Sequence, residues 1–213
     1  MNIEKKINKI IIISSPSGAG KTTICNYLVK KLNNIDLSIS YTTRNKRANE
    51  VNSKDYYFVN NEKFKKLIKN KKFLEYAKVF KNYYGSLREN VIAKLTNGED
   101  IIFDIDWQGT KQIKNKKLNY KIITIFILPP SKKELYERLL KREKKDKKIA
   151  SERMKQFKDD VMHWIDYDYT VINDKVEGCY KQIISFIRNK KLEKRNFKYD
   201  KRFIKDHIQK LVS

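Results

Sequence analysis

The chain has 213 residues, 49 of them Lys or Arg against 25 Asp or Glu, for a formal net charge of +24. That length suits one α/β domain with an inserted subdomain, and no apolar run approaches the roughly 20 residues that span a bilayer. The charge invites a nucleic-acid partner, but the lysines are spread along nearly every helical segment among Ile, Asn and Tyr, so a solvated Lys-rich surface that also helps to collect anions is expected.

The start, Met1 to Lys9, is polar and lacks the apolar stretch of a signal peptide. Cys25 and Cys179 stand far apart without neighbouring ligand residues, which implies neither a disulfide framework nor a zinc site and fits a reducing cytoplasm. The run Ile10 to Ile13 predicts a buried strand, and Ile24 to Leu32 an amphipathic helix. Between them lies Ser14-Ser15-Pro16-Ser17-Gly18-Ala19-Gly20-Lys21-Thr22-Thr23. A small-residue turn in strand–loop–helix context can converge its backbone N–H groups on a phosphate, and the start of the following helix adds free donors and a positive dipole end. Lys21 is then placed to reach the outer phosphates of a nucleoside triphosphate, and Thr22 to offer its hydroxyl to Mg²⁺. Ser15 stands where the pattern G-x-x-x-x-G-K-[ST] has its first glycine; a positive φ there would cost about 1–2 kcal/mol.

Ile35 to Thr43 reads as one short strand ending in Ser40-Tyr41-Thr42-Thr43-Arg44-Asn45-Lys46-Arg47. Arg44 and Arg47 suit a bidentate grip on a phosphate, although on residue type alone a surface arginine pair is more often just solvated. Glu50 to Val59 is a polar loop feeding a strand, and Asn61 is the expected N-cap of a helix with Phe64, Leu67 and Ile68 on its apolar face. Phe73 to Phe80 has a strand pattern that encloses Glu75, and Asn82 to Ser86 reads as the turn closing this small sheet. Asp100 to Asp106 is a buried strand whose Asp104 and Asp106, two apart, are expected on one face; an acidic strand end of this kind supports Mg²⁺ in phosphate-loop enzymes.

Ile122 to Leu128 is a further strand, stopped by Pro129-Pro130. Ser131 caps a helix through Leu135 and Leu139 to Arg142, with Arg138 and Arg142 on one face. Glu143 to Lys148 is all charge and reads as a mobile flap, after which Arg153 opens a helix through Phe157 and Val161. Asp168 to Ile172 is a last strand, followed by Asn173-Asp174 and a closing helix, Val176 to Ile187. Asn189 to Ser213 is a basic tail with apolar residues at Phe203, Ile204, Ile208 and Leu211, as an added helix would have.

From about Lys9 to Arg188 these separated motifs, in this order, resemble guanylate kinase, the family that phosphorylates GMP with ATP. The resemblance implies an α/β fold: a three-layer P-loop kinase core with a parallel sheet, an inserted α+β GMP-binding subdomain and a short lid. It implies a core at residues 1–34 and 98–188 with the lid at about 142–150, a GMP-binding subdomain at 35–97, and a tail at 189–213. Ser15, Pro16, Ser17, Gly18, Ala19, Gly20, Lys21, Thr22 and Thr23 would hold the ATP phosphates, with Arg142 against the adenine and Asn173 beside it. Arg44, Arg47, Tyr56 and Tyr84 would hold the GMP phosphate, while Ser40, Glu75, Ser86 and Asp106 would read the guanine. Lys21, Arg44, Arg138 and Arg153 would be catalytic, with Mg²⁺ held by Thr22 and Asp104, largely through water.

The chain departs from the family at Ser15 and in the lid, Arg142-Glu143-Lys144-Lys145-Asp146, which lacks the usual Gly-Thr pair. The implied partners are ATP and GMP, with no membrane or nucleic acid, in a cytoplasmic monomer or homodimer. Two other readings compete. Guanylate-kinase-like domains also serve as non-catalytic binding modules, but those lose the lysine or glycines that are present here as Lys21 and Gly20. An RNA-binding protein would show aromatic interleaving or an RNP-like stretch, and neither is found.

Overall fold

Four consecutive isoleucines, Ile10–Ile13, have no solvent exposure, so the first strand must be covered on both faces, as in a parallel sheet flanked by helices. The computed structural model, which describes residues 8–143, 145–188 and 200–213, has this α/β architecture. The elements are β1 (Lys9–Ser14), α1 (Lys21–Lys31), β2 (Ile35–Leu37), β3 (Tyr41–Thr42), β4 (Tyr57–Phe58), α2 (Asn61–Lys69), β5 (Phe73–Val79), β6 (Asn82–Leu87), α3 (Arg88–Thr96), β7 (Asp100–Asp104) and α4 (Trp107–Asn115). There follow β8 (Lys121–Leu128), α5 (Lys132–Arg142), α6 (Lys147–Val161), β9 (Tyr169–Ile172), α7 (Val176–Ile187) and α8 (Lys201–Val212). A five-stranded sheet has the order β2-β7-β1-β8-β9, with β2 parallel to β7 (Ile35 opposite Asp100) and β8 parallel to β9 (Ile125 opposite Tyr169). A four-stranded sheet has the order β4-β3-β6-β5. No helix among the described residues is long and apolar enough to cross a membrane.

The chain divides into two compact units, one running up to Ile11 and then from Leu32 to Ile122, the other comprising Ile12–Lys31 and Ile123–Ser213. In the first unit Phe64 of α2 stacks on Phe73 and Tyr83, 4.5 and 5.3 Å between ring centres, and so seats α2 on the small sheet. In the second unit α5, α6 and α8 share one apolar cluster, to which α5 gives Leu135 and Leu139, α6 gives Phe157 and Val161, and α8 gives Ile204, Ile208 and Leu211.

Several expectations are corrected. Ile35–Thr43 is not one strand but two, β2 and β3, in different sheets. Only its first part is apolar and inward; further on the buried groups are the hydroxyls of Ser40 and Thr42, which bond within the small sheet. Asn82–Ser86 is strand β6 and not a turn. Gly85 is there because a Cβ would stand 2.8 Å from that of Tyr76 on β5, a close approach and not a bend. The cap of α2 is Asn60, one residue earlier than expected, its side chain accepting from the Lys63 N–H at 2.8 Å.

Asp104 and Asp106 do not share a strand face, because β7 ends at Asp104 and Asp106 is the N-cap of α4. Helices α3 and α4 were not foreseen. The charged run after Arg142 is not a free flap: Asp146 caps α6 through the Ile149 N–H, so the helix opens at Lys147 and Arg153 lies well inside it. Lys144 of that run and residues 189–199 of the tail lie outside the described residues.

The packing of α8 can be tested. Ile208→Ala removes a buried side chain and should lower unfolding free energy in urea by about 2–4 kcal/mol, whereas Phe203→Ala, 48% exposed on the same helix, should stay within about 0.5 kcal/mol.

Candidate active site

In the second unit, β1 hands the chain to α1 through a turn at residues 15–20. Gly18 and Gly20 adopt φ of +90° and +95°, which side chains disfavour, while Ser15 does not, so the backbone cost foreseen at Ser15 does not arise. A Cβ on Gly20 would also overlap the amide of Asn173. Asn173, expected beside the adenine, is buried instead: its Nδ2 donates to the Ala19 carbonyl at 2.8 Å, and its N–H to Leu128 at 2.8 Å, so the end of β9 braces the turn. On another side Leu135 and Leu139 of α5 pack so closely on Gly18 that a Cβ would stand 2.9 and 3.0 Å from them. Lys21, Thr22 and Thr23 form the first turn of α1, where backbone N–H groups have no partner within the helix.

The expected lid arginines reach this turn. Arg142 and Arg153 both donate from Nη1 to Ser17 Oγ, at 3.3 and 3.0 Å. The Glu143 carboxylate lies between them, its Oε1 3.0 Å from Arg153 Nε and 3.7 Å from Arg142 Nε. Arg138 donates from Nη2 to Glu134 at 2.8 Å and to the Asn173 carbonyl at 3.3 Å. Three guanidinium groups thus gather around a turn of amides, an arrangement suited to a polyphosphate.

The first unit carries a second arginine cluster, and a group of buried polar side chains. Thr42, buried in β3, donates to the Tyr83 carbonyl and accepts from the Arg44 N–H, which sets how the chain leaves the strand. Arg44 donates to the Asn45 carbonyl at 2.7 Å and to Glu50 Oε1 at 2.6 Å, and lies over the rings of Tyr56 and Phe58, 5.4 and 5.7 Å from their centres. The Arg47 N–H donates to Glu50 Oε2 at 2.8 Å, and its Nη1 to Oε1 at 3.4 Å. Tyr84 meets Tyr56 edge to face at 6.0 Å. Burial pushes the Glu50 carboxyl up, but the hydrogen bond from Arg44, the Arg47 N–H and the two positive charges together hold it below its ordinary value.

Behind this cluster Glu75 and Ser86 face each other across β5 and β6. Glu75 is only 3% exposed, and Ser86 donates to its Oε1 at 2.7 Å. Ser40 Oγ lies 3.4 Å from Ser86 Oγ; with the Ser86 proton spent on Glu75, Ser40 is the donor of that pair. Asp106 accepts from the Gly109 N–H at 2.9 Å and from Gln108 Nε2 at 3.0 Å, so its carboxylate starts α4. Ser40, Glu75 and Ser86 are therefore brought together in one polar group, and Arg44, Arg47, Tyr56 and Tyr84 belong to the neighbouring strands and loop.

Glu50 and Glu143 were quoted in the sequence only as parts of motifs, and their pairing with two arginines each went unseen. Gln112 was missed as well, and Gly109 reads in the sequence only as part of a turn after the acidic strand, though Asp106 is a residue type that N-caps prefer. Of the residues expected to favour a cation, Thr22 in the second unit offers a hydroxyl, and Asp104 in the first, at the end of β7, offers a carboxylate. Such hard oxygen donors fit Mg²⁺, which keeps most of its ligands as water and phosphate. Among the described residues there is no group of three His, Cys, Asp or Glu that could form a metal centre.

The family model "Guanylate kinase" matches residues 7–190. Among similar proteins, the guanylate kinase of Blochmanniella floridana is 48% identical over 184 residues, covering 85% of this chain and 87% of the relative. That of Hyphomonas neptunium is 38% identical over 203 residues, covering 95% and 91%. The crystal structure of guanylate kinase from Anaplasma phagocytophilum superimposes with a TM-score of 0.70 at 33% identity, over 89% of each chain.

The arginine pair gives a pH signature. Because Glu50 holds its proton less tightly folded than unfolded, its stabilisation is complete above the ordinary carboxyl value of 4.5 and is lost as pH falls through the lower folded value. Glu50→Gln should lower Tm at pH 7, and the gap to the parent should close in melts taken at successively lower pH below 4.5. A gap that stays constant to pH 3 would show that the charge of Glu50 contributes nothing.

Proposed function

Since the chain belongs to the guanylate kinase family, we propose that it transfers the γ-phosphoryl group of ATP to GMP, giving ADP and GDP, with the phosphate turn of the second unit receiving ATP and residues 35–97 receiving GMP. The observation that carries the assignment of the acceptor is the buried carboxylate of Glu75, tied to Ser86 and Ser40 in the same unit as the arginine pair Arg44 and Arg47. Guanine presents adjacent N1–H and amino donors, which a carboxylate accepts; adenine presents a bare N1 lone pair at the corresponding place.

Phosphoryl transfer calls for positioning and charge neutralisation more than for a covalent nucleophile. Arg44 and Arg47, with the hydroxyls of Tyr56 and Tyr84, hold the acceptor phosphate. Ser40, Glu75 and Ser86 orient the base, and Asp106 contributes by setting the start of α4 beside them. On the donor side the amides of residues 15–20 and of Thr22 and Thr23 bind the phosphates, and Lys21 spans the migrating group. Arg138 and Arg153 neutralise charge on it, while Arg142 lies against the nucleotide and Asn173 acts by bracing the turn. Thr22 and Asp104 would hold Mg²⁺, largely through water, and the ion would supply positive charge against the phosphates.

Two measurements check this reading. In a coupled assay for ADP formation, Lys21→Ala should lower kcat by about 10²-fold or more, since a charge-assisted contact to the migrating group is lost. Near-normal turnover in that variant would remove the phosphate turn from the chemistry. Glu75→Gln should lower kcat/KM for GMP by about 1.5–3 kcal/mol, the usual worth of a charged hydrogen bond. AMP should be a poor substrate of the parent, because a site built to bond N–H groups rejects a base lacking them by roughly 10⁴.

A further inference from the structure

Gly109 stands in the first turn of α4, three residues after the cap Asp106, and its backbone does not need a glycine, since its φ is not positive. Alanine is the better helix former in such a place. A side chain there would meet Glu75: a Cβ would stand 2.5 Å from its Oε2 and 3.2 Å from its Cδ, with Ile105 Cδ1 also at 3.2 Å.

Neither backbone is free to give way. Three residues on, Gln112 clips α4 to the peptide groups of Tyr76, donating to its carbonyl at 2.7 Å and accepting from its N–H at 3.1 Å. On its other side β5 is held by β6, Glu75 opposite Ser86. The part able to move is the Glu75 carboxylate, the far end of a flexible side chain.

We propose that Gly109 determines base specificity: the side chain it lacks is what lets the Glu75 carboxylate stand against the first turn of α4, where the positive end of the helix favours an anion. This rests on the reading of Glu75 as the residue that accepts from the guanine N1–H and amine. Gly109 touches no substrate; it positions the group that does. A methyl group at this position turns the carboxylate away and spoils its alignment with the two donors, while leaving the ATP side as it was.

The test is Gly109→Ala beside Glu75→Gln, with steady-state kinetics for each substrate and thermal melting. For Gly109→Ala the KM for GMP should rise about tenfold, the loss of one well-aligned charged hydrogen bond. KM for ATP and kcat at saturating GMP should stay within about twofold, and Tm should equal or exceed the parent value, as the helix propensity of alanine predicts. A GMP KM within twofold of the parent, while Glu75→Gln weakens GMP, overturns the role of Gly109 alone. A silent Glu75→Gln overturns the assignment of Glu75 to the base, and the proposal with it. A fall in Tm with both KM values rising together also overturns it, because Gly109 would then be a packing residue.

Discussion

Two guanidinium groups held side by side in a partly buried place repel each other, and a fold that keeps them there must put an anion between them. Both units do so in the same way. Glu50 joins Arg44 to Arg47, and Glu143 joins Arg142 to Arg153. Each carboxylate is largely shielded, so each pair stands ready without a ligand. A phosphate bound there, as proposed, would meet donors already ordered and would not have to immobilise two long side chains, which otherwise offsets part of a binding energy. The arrangement leaves one net positive charge per cluster.

What could be seen in the sequence follows from how far each signal reaches along the chain. The phosphate turn, the isoleucine strand and the Ser131 cap are written in neighbouring residues, and each stands where local chemistry puts it. Asp106 deceives for the same reason: next to an apolar run it looks like the last residue of a strand, and only the Gly109 N–H that it bonds shows it to be a cap. Asn82 to Ser86 looks like a turn because of Gly85, whose missing side chain is explained by Tyr76 on the next strand. The charged run after Arg142 looks loose until Asp146 is seen to start α6. Each misreading needed a partner that sequence spacing alone does not supply.

The division between lysine and arginine carries information as well. Only nine of the 49 basic residues are arginine, yet five of them, Arg44, Arg47, Arg138, Arg142 and Arg153, belong to the candidate site. Elsewhere lysine predominates, as a strongly hydrated point charge that keeps the surface wet. Arginine is kept where a planar fork must bond an acceptor from two directions or lie on an aromatic face, as Arg44 does on Tyr56. The high net charge is thus mostly a property of the surface.

The clip made by Gln112 has a consequence for how the protein avoids sticking to itself. β5 is the outermost strand of the small sheet, and an outer strand offers unpaired peptide groups to any extended segment that approaches. Gln112 satisfies both the N–H and the carbonyl of Tyr76, so in the middle of β5 a side-chain amide imitates one peptide of a missing strand. An intruding chain would have to displace it first. Without α4 that protection would go, and the outer edge of Phe73–Val79 would be open to pairing with another strand.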